Sequence, residues 1–119
     1  MRSLIGGVIK RQFRCIILDP YANAFYKEAD KVGEWASDQT EMKPGVHERK
    51  WEIDSHCYPI RLAYNYWKTT GDASVFGQEW LDGIQLTLKT FRTQQRKKEY
   101  GPYYFLRVTD RQLDTKCYV

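Results

Sequence analysis

Three separate stretches carry apolar residues at steps of three and four, and this spacing constrains the fold more than any other feature of the chain. In residues 3–18 the apolar positions are Ile5, Val8, Ile9, Phe13, Ile16 and Ile17, the pattern of an amphipathic helix. Pro20 pushes the residue before it out of the helical region, so this helix ends at "LDPY". A second helix is expected over 55–70, with Asp54 or Ser55 as N-terminal cap and Pro59 in or near the first turn. Ile60, Tyr64 and Trp67 form one stripe on it, and Leu62 and Tyr66 another, so it reads as apolar nearly all round and buried. Gly71 supplies the stop, and a third helix starts at Asp72 or Ser74 and runs to about Lys98. On that helix Phe76, Trp80, Ile84, Leu88 and Phe91 repeat at steps of four, four, four and three. The expected fold class is all-α: an N-terminal helix, a long loop, and a helical hairpin turning at Gly71–Asp72. Helix pairs in series are the unit of α-solenoids and α/α toroids, although no internal repeat is visible.

The long loop, 19–53, is the unusual part. A connection of that length inside a compact domain generally carries function. It has a turn at "KPGV" (43–46), and "NAFYKEADKVGEW" is expected to add a short helical turn. It ends in "ERKWEIDSHCYP", residues 48–59, where charges and aromatics alternate. In extended backbone successive side chains point to opposite faces, which puts Glu48, Lys50, Glu52 and Asp54 on one side. Arg49, Trp51 and Ile53 fall on the other. One face is then a row of donors and acceptors, and the other an apolar backing, an arrangement suited to a sugar or another polar ligand. The same residues also fit a solvated loop with surface ion pairs, each worth under about 1 kcal/mol. Two further stretches are rich in acids and amides: "DPYANAF" (19–25), with Asp19, Tyr21 and Asn23, and "TDRQLDT" (109–115), with Asp110, Arg111 and Asp114.

Composition narrows the partners. Aromatic residues reach 15%, including four Trp and nine Tyr, and such an excess commonly serves binding surfaces. The net charge of +4 permits nucleic-acid binding without demanding it. The one basic run, "RTQQRKK" at 92–98, is accounted for by the preference for cations at a helix C-terminus, so no nucleic-acid partner is expected. Lys10, Arg11 and Arg14 interrupt the N-terminal apolar run, and no membrane partner is expected either. Cys15, Cys57 and Cys117 form no CxxC pair, which fits reduced thiols in a compartment such as the cytoplasm. With His47 and His56 they match no common zinc spacing, so no metal or other cofactor is expected.

At three blocks the chain resembles a known family. "IKRQFRCIILDPYANAF", "KPGVHERKWEIDSHCYPIRLAYNYWKTTGD" and "RVTDRQLDT" resemble glycoside hydrolase family 125, the metal-independent exo-α-1,6-mannosidases, over roughly residues 4–115. The resemblance implies a partial chain, 1–119, of an (α/α)6 toroid that hydrolyses terminal α-1,6-linked mannose from oligosaccharides with inversion and without metal. It implies that the general acid and base lie beyond "TDRQLDT", so no catalytic role is assigned here and the chain alone is expected to be inactive. Glu48, Lys50, Glu52, Asp54 and Tyr58 are then candidates for the wall of the sugar pocket, with Asp19 and Asn23 behind them. Two residues depart from the family pattern: His47 where a tryptophan is expected before "ER", and His56 where an aliphatic residue is expected. The competing reading is a stand-alone helical module that binds carbohydrate or another protein. A part of a toroid is also expected to expose apolar helix faces and to self-associate.

Overall fold

A computed structural model of the chain describes residues 2–33 and 35–107. In order it contains α1 (Arg2–Leu18), β1 (Ala24–Phe25), β2 (Val46–Glu48), α2 (Asp54–Thr70) and α3 (Gln78–Gln94). The protein is therefore mostly helical with a small two-stranded sheet, where the expected fold class was all-α. It divides into two compact units, residues 1–20 with 53–91 and residues 21–52 with 92–119. No described helix is long and apolar enough to cross a membrane.

The first unit is helical. Its core is Ile9, Phe13 and Ile16 of α1, Ala63 and Tyr66 of α2, and Val75 between α2 and α3. Burying side chains of the size of Ile9 and Phe13 stabilises by about 1.5–3 kcal/mol each. Trp80 of α3 closes this core, its ring centroid 4.6 Å from that of Phe13 and 4.7 Å from that of Phe76. Gly83 is needed beside it, because a Cβ there would come within 2.5 Å of Phe13 Cδ1.

The helix boundaries depart from the sequence expectations for local reasons. The residue before α2 is Ile53, with no side-chain cap, so neither Asp54 nor Ser55 takes that place. Asp54 is instead the first helical residue, where the helix dipole favours an acid. Pro59 is the sixth residue of the helix and not in its first turn. Gly71 stops α2 as expected, in the left-handed conformation, with its N–H donating to the Trp67 carbonyl. Asp72 does not start α3. Its carboxylate accepts from the Tyr66 hydroxyl at 2.5 Å and from the Ser74 N–H at 2.9 Å, which builds a turn. Helix α3 consequently begins at Gln78, and the connection is longer than a tight hairpin turn. It ends at Gln94 and not near Lys98, because Arg96 adopts a positive φ of 54°.

Burial also corrects the stripes. Helix α2 is not apolar-buried all round: His56, Pro59, Ala63 and Tyr66 are buried, while Tyr58, Tyr64 and Trp67 are exposed. On α3 the buried line is Gly83, Thr87, Thr90 and Gln94, and Leu88 is exposed. Small and polar residues therefore face inward where the apolar spacing had suggested the larger ones.

His56 explains one of these choices. It is 1% exposed, with Nε2 at 2.6 Å from the Pro20 carbonyl oxygen and Nδ1 at 3.1 Å from the Thr87 hydroxyl. A carbonyl can only accept, so Nε2 carries the proton and neutral Nδ1 accepts from Thr87. The imidazole joins the exit of α1 to α2 and α3, which an aliphatic residue cannot do.

The second unit is built on the loop. The "KPGV" turn forms, with the Val46 N–H donating to the Lys43 carbonyl and Gly45 at φ 85°. It presents β2 to β1 in antiparallel register, Ala24 opposite Glu48 and Phe25 opposite Val46. Within 23–35 the described residues form strand and turns, so the expected helical turn is absent there. The backbone N–H groups of Asn23 and Tyr26 find partners across the ladder, at the carbonyls of Glu48 and Gly45, which removes any gain from a helical turn. Tyr21, Trp51 and Tyr103 are buried together, Tyr21 and Tyr103 stacked at 4.7 Å and Tyr21 and Trp51 edge-on at 6.2 Å. Residues 103–105 lie outside helix and strand, with Tyr103 and Phe105 buried and Tyr104 exposed, and Leu106 forms an isolated bridge to Gln39.

Candidate functional site

The charged strip leaves β2 at Glu48 and runs outside helix and strand to Glu52. Alternation holds over this length: Arg49 and Trp51 are buried, while Glu48 and Lys50 are half-buried and Glu52 is exposed. It breaks at Ile53, which is 51% exposed because its backbone has already turned helical. The buried side is held by the Arg49 guanidinium and by the backbone of Arg49 and Trp51. The Arg49 guanidinium lies 5.3 and 5.6 Å from the rings of Tyr21 and Tyr103 and donates to the Thr40 hydroxyl at 2.9 Å. The Tyr103 hydroxyl accepts from the Trp51 N–H at 2.8 Å and donates to the Arg49 carbonyl at 3.1 Å.

Asn23 organises the polar side. Its Oδ1 accepts from the Lys50 N–H at 2.9 Å, and its Nδ2 donates to Glu48 Oε1 at 2.7 Å and to Glu52 Oε1 at 3.4 Å. Its own backbone N–H donates to the Glu48 carbonyl. One amide therefore spans three of the candidate residues.

The other oxygen of Glu48 accepts from Arg107 Nη2 at 2.5 Å. The same guanidinium forks onto Asp38, from Nε at 2.9 Å and Nη2 at 2.6 Å, and lies 3.6 Å from the centre of the Trp35 ring. Burial pushes the Glu48 carboxyl up, but the hydrogen bonds from Asn23 and Arg107 and the charges of Arg107 and Lys50 outweigh it. The net result lies below the usual carboxylate value. The bonds to Asp38 and Glu48 likewise hold Arg107 firmly protonated, against the opposing effect of burial. Lys50 Nζ is 5.9 Å from the centre of the Phe105 ring.

The fold thus gathers four of the seven candidates, Asn23, Glu48, Lys50 and Glu52, in the loop unit. Asp19, Asp54 and Tyr58 belong to the helical unit, Asp19 fully buried at the exit of α1 and the other two exposed on the first turns of α2. Asp110, Arg111 and Asp114 lie outside the described residues. Trp35, Asp38 and Arg107 escaped the reading of the sequence as site residues. Asp38 has no local signal, whereas Arg107 opens the "RVTDRQLDT" block on which the resemblance rests. His47 sits on β2 with its ring 4.9 Å from that of Tyr26.

Chemically, the strip offers carboxylate acceptors and an ammonium donor on a fixed backbone, which suits a polyhydroxyl ligand. Glu48 is poorly suited to donating a proton, since a general acid needs its pKa raised. Among the described residues no group of three or more His, Cys, Asp or Glu side chains is placed to hold a metal ion.

A model of the metal-independent α-mannosidases of glycoside hydrolase family 125 matches residues 1–118. The chain belongs to family 125. Among family-125 relatives of known structure, a metal-independent α-mannosidase of Streptococcus pneumoniae, solved in a non-productive complex with α-1,6-mannobiose, is 39% identical and superposes with a TM-score of 0.84. That match covers 92% of this chain and 25% of the pneumococcal one. The meiotically up-regulated gene 157 protein of Schizosaccharomyces pombe is 31% identical over 130 residues, covering 97% of this chain and 26% of the yeast protein. This family-125 chain therefore spans about a quarter of the length of the relatives it matches.

Proposed function

We propose that the chain is part of an inverting exo-α-1,6-mannosidase with an (α/α)6 toroid fold, and that it supplies a wall of the sugar pocket rather than the bond-breaking pair. The observation that carries this reading is the polar strip Asn23–Glu48–Lys50–Glu52, found in a chain 39% identical to an α-mannosidase that binds α-1,6-mannobiose. In it Glu48 and Glu52 accept hydrogen bonds from mannose hydroxyls and Lys50 donates to them. Asn23 stands behind them and donates to both carboxylates.

Inversion requires two carboxyl groups ~6.5–9.5 Å apart, one protonating the leaving oxygen and the other activating water. Glu48 lies on the wrong side of the usual carboxylate value for the acid. On this reading both groups lie after residue 115, and the 119-residue chain is inactive alone.

Calorimetry with α-1,6-mannobiose and an assay for free mannose test this. The expected result is binding, weak at a Kd on the order of 1 mM for an incomplete pocket, with no mannose released. Release of mannose by the chain, or equal affinity for an α-1,6-linked glucose disaccharide, would overturn the reading. For the longer protein, proton NMR of the first product distinguishes inversion, which yields β-mannose, from retention.

A further inference from the structure

We propose that Arg107 is a positioning residue of the strip: anchored on Asp38 and Trp35, it fixes Glu48 as the acceptor for a sugar hydroxyl. This rests on the mannoside reading above.

The anchor comes first. The Asp38 side chain is 2% exposed and the Arg107 side chain 13%. A carboxylate buried to that degree needs a cation, and the two-pronged contact supplies one in a fixed plane. The Trp35 face fixes that plane from one side. Asp38 alone would balance the charge of Arg107, so structural neutralisation does not call for the second acid. Yet Nη2 also reaches Glu48, whose other oxygen is tied to Asn23. Glu48 is held at both oxygens, by groups from two different segments. Each oxygen takes one of these bonds, and a carboxylate oxygen can accept two, so acceptor capacity is left for a ligand hydroxyl.

The electrostatics agree with the geometry. The charged groups around Glu48 are Arg107 directly, Lys50 on its own segment, Glu52 through Asn23, and Asp38 through Arg107. Removing the guanidinium takes away a hydrogen bond and a positive charge and leaves partial burial, which favours a protonated Glu48. An acceptor that protonates loses its ligand.

The test uses the whole 119-residue chain. Glu48 is followed by carbon NMR, its signal assigned with Glu48→Gln, and α-1,6-mannobiose binding is measured by calorimetry across the acid range. Arg107→Met strands the buried Asp38, so the decisive variant is the double change Asp38→Asn with Arg107→Met, which removes both buried charges. The expected result is a higher titration midpoint for Glu48, an acid limb of binding that moves up with it, and affinity about tenfold weaker, the loss of one charge-assisted hydrogen bond. Arg107→Lys keeps a charge without the fork and is expected to restore the titration more than the affinity. A folded double variant with the wild-type Glu48 titration and the wild-type binding profile would overturn the proposal. If the Glu48 titration moves as expected but the unmodified chain binds no mannoside, the sugar reading fails and the positioning of Glu48 by Arg107 stands.

Discussion

The imidazole of His56 and the carbonyl of Pro20, separated by 36 positions in sequence, meet at 2.6 Å where α1 gives way to the loop. Burial drives the His56 pKa down from its ordinary value of 6.5, and the bond to Pro20 opposes that only in part. The folded protein therefore binds fewer protons than the unfolded chain once the pH falls below that value. The contribution is complete above about pH 6.5 and is lost as pH falls through the folded-state pKa. The urea midpoint is expected to drop between about pH 7.5 and pH 5.5, and the drop is expected to shrink in His56→Gln. Glu48, whose carboxyl is lowered, acts in a separate window below its ordinary 4.5, so the two effects are resolvable.

Asn23 is predicted to be intolerant of charge. Its amide donates to Glu48 and Glu52 and accepts from the Lys50 N–H. Asn23→Asp replaces the donor with an acceptor facing two carboxylates. The expected cost is about 2 kcal/mol in urea unfolding, with loss of mannoside binding. Asn23→Ala is expected to cost less, because it removes the bonds without adding repulsion.

These positions also show what the sequence made legible. Helical spacing located the three described helices, since burial of one face leaves a periodic trace. Gly71 and "KPGV" were readable because positive φ selects glycine so strongly. The strip was readable because extended backbone alternates by rule. The ends of α3 were not: Asp72 looks like a cap, and only its contact with Tyr66 shows that it builds a turn instead. The inward Thr87 was hidden because its partner is His56, 31 positions away, and hydroxyl-to-imidazole pairing leaves no periodicity. The Asp38–Arg107–Glu48 array was out of reach for the same reason, with 69 and 59 positions between its members.

Gly83→Ala is predicted to destabilise, against its local propensity. Alanine in a helix interior is favoured over glycine by about 1 kcal/mol. The new methyl, however, would lie 2.5 Å from Phe13 Cδ1, whose ring is already packed against Trp80. Overpacking of this sort costs about 1–3 kcal/mol, so the net effect is unfavourable. A lower thermal midpoint, together with altered near-ultraviolet dichroism from Trp80, would show it. The double change with Phe13→Leu is expected to recover part of the loss.

Tyr103→Phe separates the support of the strip from its chemistry. The hydroxyl stands between the Trp51 N–H and the Arg49 carbonyl, accepting from one and donating to the other, and the ring is stacked on Tyr21. Phenylalanine keeps the stack and removes both bonds inside a buried region. The expected loss is about 1–3 kcal/mol, the cost of leaving buried backbone groups poorly satisfied. Because the hydroxyl fixes the backbone on both sides of Lys50, the effect should reach that residue: mannoside affinity is expected to fall while the Glu48 titration, set by Asn23 and Arg107, stays put. Calorimetry and carbon NMR on the same sample read the two quantities. A Tyr103→Phe protein that is less stable yet binds mannoside with unchanged affinity would show that Lys50 needs no such backbone support.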